Sequence, residues 1–543
     1  MNKLAGFVFC IVAFVFASCS PDLSSSKKTI FNINLDEGLS SLDPAFARNQ
    51  NTIWMVNQVY NGLVQIDDSL KTRPCIAKSW EISPNGLSYI FHLRSDVCFH
   101  DCPLFKGGVG RKVVAGDFVY SFHRLIDPKV ASSGSWIFSD KICDTPFTAL
   151  NDSTLRIKLR QPFPPLLSLL TAQYCSVVPH EVVDHYGKDF RQHPIGTGPF
   201  KFKYWKEGEV MVLLKNEKYW EKDKDGSALP HLDAIRATFI GDKQTAFMEF
   251  VSGKLDFLND IDGSYRDDIF TKGGRVTQKY KGKFTVNTGP FLNTIYLGML
   301  VDSNLAIVKS SPLKKLKIRQ AINYAIDKQK MIKYLRNSLG TPGTAGFIPM
   351  GMPGFDASAV KGYSYNPDKA RWLLKEAGYP NCKGLPEITL HTTVGYRGLI
   401  EYVQGQLEKV GIKTSVEITQ GASLRELVSK NGVNFFYGSW IADYPDGENY
   451  LSVFYSKNKI PYGPNYTGFN NKQFDALFEQ AYHEVNDERR YALYRQMDNL
   501  VMQQSPVVVL YYDKRVNLYQ NNISGYSVNG QNLLTLKRIR KSP

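Results

Sequence analysis

Phe435-Phe436-Tyr437-Gly438-Ser439-Trp440-Ile441-Ala442-Asp443-Tyr444-Pro445-Asp446-Gly447-Glu448-Asn449-Tyr450-Leu451 runs from an apolar strand straight into a turn, with Asp443 set between Trp440 and Tyr444. Pro445 cannot donate to a ladder and Gly447 is a turn residue, so the acidic side chains fall on a loop just past the strand. A carboxylate beside aromatic rings at a strand end is the kind of polar group a ligand cleft presents. Capping of nearby N–H groups is the other use of an Asp in such a turn.

Outward from this stretch, helical and extended patterns intermix. Residues 316–332 place Ile318, Ala321, Ile322, Ala325 and Ile326 on one side, which predicts a helix. Asn366-Pro367 opens another with a capping side chain and a first-turn proline, and Gly378 closes it. Helical patterns near 397–410, 471–483 and 487–503 alternate with strands such as 507–511. Upstream, 29–34 and 88–94 alternate apolar and polar as half-buried strands do, and 115–125 carries helical spacing up to Asp127-Pro128. Without a strict βαβ rhythm, this mixture predicts α/β lobes of mixed sheet.

The chain has 543 residues, enough for two or three domains, and 43% of them are hydrophobic, so a sizeable core is expected. Its 66 Lys and Arg exceed 51 Asp and Glu, for a formal charge of +15. The lysines stand singly or in short groups such as Lys314-Lys315-Leu316-Lys317, a solvated face rather than a phosphate-tracking stripe, so no nucleic-acid partner is expected.

Lys3 precedes the apolar run from Leu4 to Phe16, which is too short to span a bilayer but suits a secretory signal over 1–18. Ala17-Ser18-Cys19 resembles the lipobox of bacterial lipoproteins, which implies a lipidated Cys19 and a polar tether over 19–28. The expected location is the periplasm or cell surface, anchored by lipid to the bacterial membrane. The remaining Cys75, Cys98, Cys102, Cys143, Cys175 and Cys382 are too few for a disulfide scaffold.

Several motifs imitate catalysis and fail its geometry. His180 and His185 are five apart, whereas a zinc-protease helix needs four so that both imidazoles reach one metal. Cys98, His100 and Cys102 lack a second half-site. Gly107-Gly108-Val109-Gly110-Arg111-Lys112 lacks the ending of a phosphate loop, and Gly196-Thr197-Gly198-Pro199 puts proline where an N–H is wanted; both predict turns. There is no Gly-x-Ser-x-Gly elbow. A binding protein without cofactor or metal, rather than an enzyme, is therefore expected.

The 440–444 segment closely resembles the Trp-x-Ala-Asp-Tyr segment of peptide-binding members of the family 5 extracellular solute-binding proteins, which serve ABC importers. Leu42-Asp43-Pro44, Asp117-Phe118-Val119-Tyr120-Ser121-Phe122, Gly196-Thr197-Gly198-Pro199-Phe200, Ser252-Gly253-Lys254-Leu255-Asp256 and Tyr365-Asn366-Pro367-Asp368-Lys369-Ala370 are similar in order and spacing to further family landmarks. The resemblance implies a two-lobed clamp of the type II periplasmic-binding-protein class with an extra domain. Lobe I would comprise 29–57, 176–284 and 511–543, domain II 58–175 and lobe III 285–510. It implies a monomer that closes over short peptides by a hinge and delivers them to the importer's permease and ATPase subunits. By the same resemblance Asp443 would pair with the peptide's α-ammonium, Trp440 and Tyr444 would flank it, and Arg397 would take its carboxylate. Arg48 stands where some oligopeptide binders carry an acidic residue, so the pocket reads an additional negative group or Arg48 points away. The alternatives are a family 5 binder of a metal chelate, glycan or opine, and a secreted hydrolase.

Overall fold

The computed structural model describes residues 28–542 apart from 37, 260 and 262. The expected signal, Cys19 and the tether through residue 27 lie outside the described residues. The strands that frame the site are, in chain order, β1 (Thr285–Met299), β2 (Ile388–Thr392), β3 (Thr414–Ile418), β4 (Phe435–Ile441) and β5 (Val507–Tyr519).

An 11-stranded sheet runs β3-β2-β4-β1-β5 and continues through Phe257–Asn259, Ile30–Asn34, Ala234–Thr238, Val210–Lys215 and Phe200–Lys206, with Thr341–Pro342 paired to β5 off this path. Its two halves share only β1 and β5. These two strands pair antiparallel from Thr285 opposite Tyr519 to Gly298 opposite Val507. One end of the ribbon meets Phe257–Asn259 through β5, and the other meets β4 through β1. The register slips between Pro290 and Thr294, where proline cannot donate to the ladder. A second slip follows between Ile295 and Tyr296.

A separate antiparallel sheet orders Ala77–Ile82, Ser88–Leu93, Thr154–Leu159 and Ile142–Asn151. The helix Ala115–Ile126 lies against it, where Phe118 and Phe122 join Phe138 and Phe147 in the core. That helix opens as its sequence requires: Asp117 accepts from the Val114 N–H at 2.9 Å and pairs with Arg111 at 2.7 Å.

Neighbouring Phe435 and Phe436 of β4 are both buried, in different cores. Phe435 packs with Ile295, Leu297 and Leu390, and Phe436 with Tyr296, Tyr450 and Tyr512 on the opposite face. Helices cover both faces of this part of the sheet, so its strands are apolar on both sides rather than alternating.

The helix predicted over 316–332 is two helices, Leu316–Ala325 and Lys328–Leu335. Ile326 turns to extended geometry after the first, and Asp327 starts the second by accepting from the Lys330 N–H at 2.9 Å. Pro367–Glu376 forms as expected, with Asn366 accepting from Lys369 N at 2.9 Å. The glycines at 196 and 198 answer to packing more than to a turn: a Cβ there would sit 2.1 Å from the Val59 carbonyl oxygen and 2.5 Å from that of Gln58. His180–Tyr186 is a short helix, and His100 is a buried core histidine whose Nε2 lies 2.9 Å from the Gly198 carbonyl oxygen. Burial lowers the His100 imidazole to about 4, which keeps it neutral.

Candidate ligand cleft

Strands β2, β3 and β4 are parallel, so their carboxyl ends lie together. In open parallel sheets the crevice beyond those ends is where ligands bind. Helix α1 (Arg397–Glu408) begins just past β2, α2 (Gly421–Ser429) just past β3, and the single turn α3 (Glu448–Leu451) just past β4. Val394, Ile418 and Ile441 form an exposed apolar lip at these ends.

The loop from β4 to α3 is fixed by its own side chains. Tyr450 donates to the Leu292 carbonyl at 2.6 Å and the Trp440 carbonyl at 3.2 Å, tying the loop to β1 and β4. Asp446, fully buried, accepts from the Glu448 N–H at 2.9 Å and Tyr494 at 2.7 Å, and faces Arg490 at 3.3 Å. Asn449 holds the segment from Trp440 to Asp443: its Oδ1 accepts from Trp440 Nε1 at 3.0 Å, and its Nδ2 donates to Asp443 Oδ2 at 3.2 Å.

Capping is thus done by Asp446, and Asp443 keeps most of its hydrogen-bonding capacity for something else. Its side chain is open to water, yet protein crowds it enough that burial raises its carboxyl above the usual Asp range, against the opposing pull of Asn449. Those two properties make Asp443 the candidate ligand-facing carboxylate at these strand ends.

Tyr444 is 7% exposed and stacks on Trp136, ring centroids 6.2 Å apart, so its ring joins the core of the other half of the molecule. Its hydroxyl donates to Glu448, which also accepts from Tyr482 at 3.1 Å. Tyr482 meets Phe163 at 5.5 Å. Trp440 is half-buried on the loop's inner side. Asp443, Trp440 and Tyr444 therefore come together.

Arg397 lies at the same strand ends, at the first position of α1, and points its guanidinium at Glu401 at 2.7 Å on the exposed helix face. Arg48 is exposed; its backbone N–H donates to the Phe46 carbonyl at 2.9 Å, and its guanidinium makes no hydrogen bond or ion pair among the described residues. It lines a cavity of about 1170 Å³ with Ser133, Tyr120 and Arg124, beside the cleft rather than at Asp443 itself. We take the cleft at Asp443 as the site, because that large cavity is an open groove on the flank of the Ala115–Ile126 helix.

Sequence reading missed Trp136, Tyr174 and Asn449. Asn449 lay within the 435–451 stretch and was legible as an amide six residues past a carboxylate; the other two come from more than 260 residues upstream and left no local signal. No cluster of three or more His, Cys, Asp or Glu among the described residues could hold a metal, and all six cysteines there are free.

Two lobes of mixed α/β structure joined by a crossing ribbon, with a separate antiparallel sheet beside them, are the architecture of a type II periplasmic binding protein. The chain matches the family model for bacterial extracellular solute-binding proteins, family 5, over residues 71–462, and it belongs to that family, whose members serve ABC importers. It is 27% identical over 522 residues to the glutathione-binding protein GsiB of Shigella dysenteriae, covering 95% of this chain and 94% of that one. Among solved structures it is similar to HbpA2 of Haemophilus parasuis, with a TM-score of 0.82 at 23% identity, covering 95% of this chain and 100% of the other. It is also similar to DppA of Helicobacter pylori in complex with the peptide STSA, at 0.73 and 24%, covering 95% and 98%.

Proposed function

We propose that the protein captures short peptides between its lobes, by rotation about the β1–β5 ribbon, and presents them to the permease of an ABC importer. The observation that carries this reading is Asp443, a carboxylate on the cleft wall with unspent hydrogen-bonding capacity and aromatic neighbours. A peptide's α-ammonium supplies the matched charge that a closing, water-excluding cleft needs. The curated relatives are glutathione-binding and a structural neighbour holds a tetrapeptide, so peptides of two to four residues, glutathione among them, are the first candidates.

In this reading lobe I is 29–57, 176–284 and 511–543, domain II is 58–175 and lobe III is 285–510, with ligand between lobes I and III. Cys19 carries the lipid that holds the protein at the outer side of the membrane, and Arg397 takes the far carboxylate of a longer peptide after leaving Glu401. Native mass spectrometry of the purified protein, with acid release and sequencing of what co-purifies, tests the assignment. Short peptides are expected; a single non-peptide mass or a metal complex would overturn it.

A further inference from the structure

Between Asp268 and Asp302 the chain has no acidic residue, and Lys272, Arg275, Lys279, Lys281 and Lys283 fall within the first part of that span. All five are exposed. The loop that carries them is held from beneath. Tyr280, 4% exposed, packs against Phe247 and Phe284, and its hydroxyl donates to Asp268 at 2.9 Å. The Thr277 N–H donates to the Ile269 carbonyl at 2.8 Å, and Thr277 Oγ1 donates to that of Asp268 at 2.7 Å. With the Tyr280 ring buried, the lysines on either side of it are left at the surface. Lys272 pairs with Asp267 at 2.6 Å and Lys279 with Asp268 at 2.7 Å. Arg275, Lys281 and Lys283 have no acidic partner among the described residues. Like charges gathered this closely repel one another, a cost that an anionic surface laid over them relieves.

The loop also stands at the end of the molecule where the chain enters the fold. Gly282 accepts from Asn521 Nδ2 at 2.8 Å. The next residue, Asn522, donates from its side chain to the Ser542 carbonyl at 2.8 Å and accepts the Ser542 N–H at 2.9 Å. Lys541 in turn donates to the Ile30 carbonyl at 2.9 Å and to the buried Asp256 at 2.9 Å. These bonds lead step by step from the basic loop to Ile30, the first residue of its strand, and the exposed Lys28 lies just before it. A flexible tether over 19–28 spans at most ~35 Å and averages ~17 Å end to end, so it keeps this end of the fold close to whatever surface holds Cys19.

Resting on the Cys19 anchor of the reading above, we propose that the loop 272–283 is a membrane-docking surface, whose cations lie on the anionic phospholipid headgroups of the membrane that carries the anchor. The lipid then holds the protein at the membrane, and the loop sets which way it faces. Each lysine brought within a Debye length of such a surface adds to the attraction, and salt weakens it.

The test uses the whole mature chain without its lipid, so that only the folded surface is read. It is sedimented with vesicles of phosphatidylcholine alone and with vesicles of phosphatidylcholine and phosphatidylglycerol in equal parts. Binding is expected to the mixed vesicles only, and to fade as added salt shortens the Debye length from ~30 Å at ~0.01 M to ~8 Å at ~0.15 M. Lys281→Gln combined with Lys283→Gln should weaken it by about thirtyfold, which is about 2 kcal/mol. Lys314→Gln combined with Lys317→Gln removes the same charge at the start of the helix Leu316–Ala325, and should bind within about twofold of the wild type. All four lysines are exposed, so both double variants should unfold at the wild-type temperature. Equal loss in the two double variants, or no preference for the anionic vesicles, overturns the inference and leaves the anchor standing. An N-terminal peptide whose mass shows no acyl chain on Cys19 overturns the anchor alone.

Discussion

The proposed role of Asp443 sets two requirements against each other: the carboxylate must stay ionised to receive an ammonium, and it must sit where water will be expelled. The structure meets them with a single donor, Asn449 at 3.2 Å, and leaves the carboxyl above its ordinary range because crowding outweighs that one hydrogen bond. Asp443→Asn keeps the shape and removes the charge. It should weaken peptide binding by about tenfold to a hundredfold, from the ~1.5–3 kcal/mol of a hydrogen bond to a charged group, with thermal unfolding unchanged or slightly raised. Titration calorimetry beside a melting curve separates the two effects, and an unaltered dissociation constant would remove Asp443 from the site. The pH dependence has a definite sign. As pH falls toward the raised carboxyl, Asp443 takes up a proton and loses its attraction for the ammonium, so wild-type affinity should decline with falling pH sooner than for an ordinary Asp, while Asp443→Asn stays flat.

Among elements, the helix break at Asp327 shows what pattern reading can and cannot see. Apolar spacing continues through Ile326, so the sequence predicts one helix over 316–332. The interruption is made by Asp327 accepting from Lys330 N and by Tyr402, far along the chain, donating to the Asp327 carbonyl at 2.9 Å. Asp327→Ala should cost about 1 kcal/mol in urea unfolding, the usual value of such a cap. A variant as stable as the wild type would mean that packing, not the cap, ends the first helix. Local chemistry was legible elsewhere for the same reason it misled here. Asn366, Pro367 and Gly378 act within one turn of where they stand, so their helix was readable, and Trp440 at the end of β4 and Asp443 and Tyr444 in the loop after it are neighbours in sequence, so their nearness was readable too. Trp136 meets Tyr444 only because a distant part of the chain folds back against this loop, and no spacing in the chain records it. Arg397 lies between these cases: its place ahead of a helix was visible, but the pairing with Glu401 four residues on turns it along the helix face.

For the whole molecule, the two halves meet at more than the β1–β5 ribbon. Trp136 against Tyr444 and Phe163 against Tyr482 form a second junction, and Glu448 joins the two tyrosine hydroxyls. Trp136→Ala should destabilise the protein by about 2 kcal/mol, from lost burial and stacking, and should broaden the lobe-to-lobe distance distribution measured between paired spin labels. An unchanged distribution would make the ribbon the sole constraint on closure. Glu448 gives the junction a pH dependence of its own. Burial raises its carboxyl to about 7, the hydroxyls of Tyr444 and Tyr482 and the charge of Lys141 oppose that rise, and Asp446 adds to it. In the unfolded chain the same group titrates near ~4.3. Between those values the folded protein holds a proton that the unfolded chain does not, so the stability this group contributes is largest at acid pH and falls as pH rises toward about 7, by up to ~3 kcal/mol. Asp498, also buried and raised to about 7, contributes in the same direction. Glu448→Gln removes one titration and keeps the other, so the loss of urea stability between pH 5 and pH 8 should shrink to roughly half. Parallel slopes for variant and wild type would mean that Glu448 stays ionised at the junction throughout, held there by Lys141.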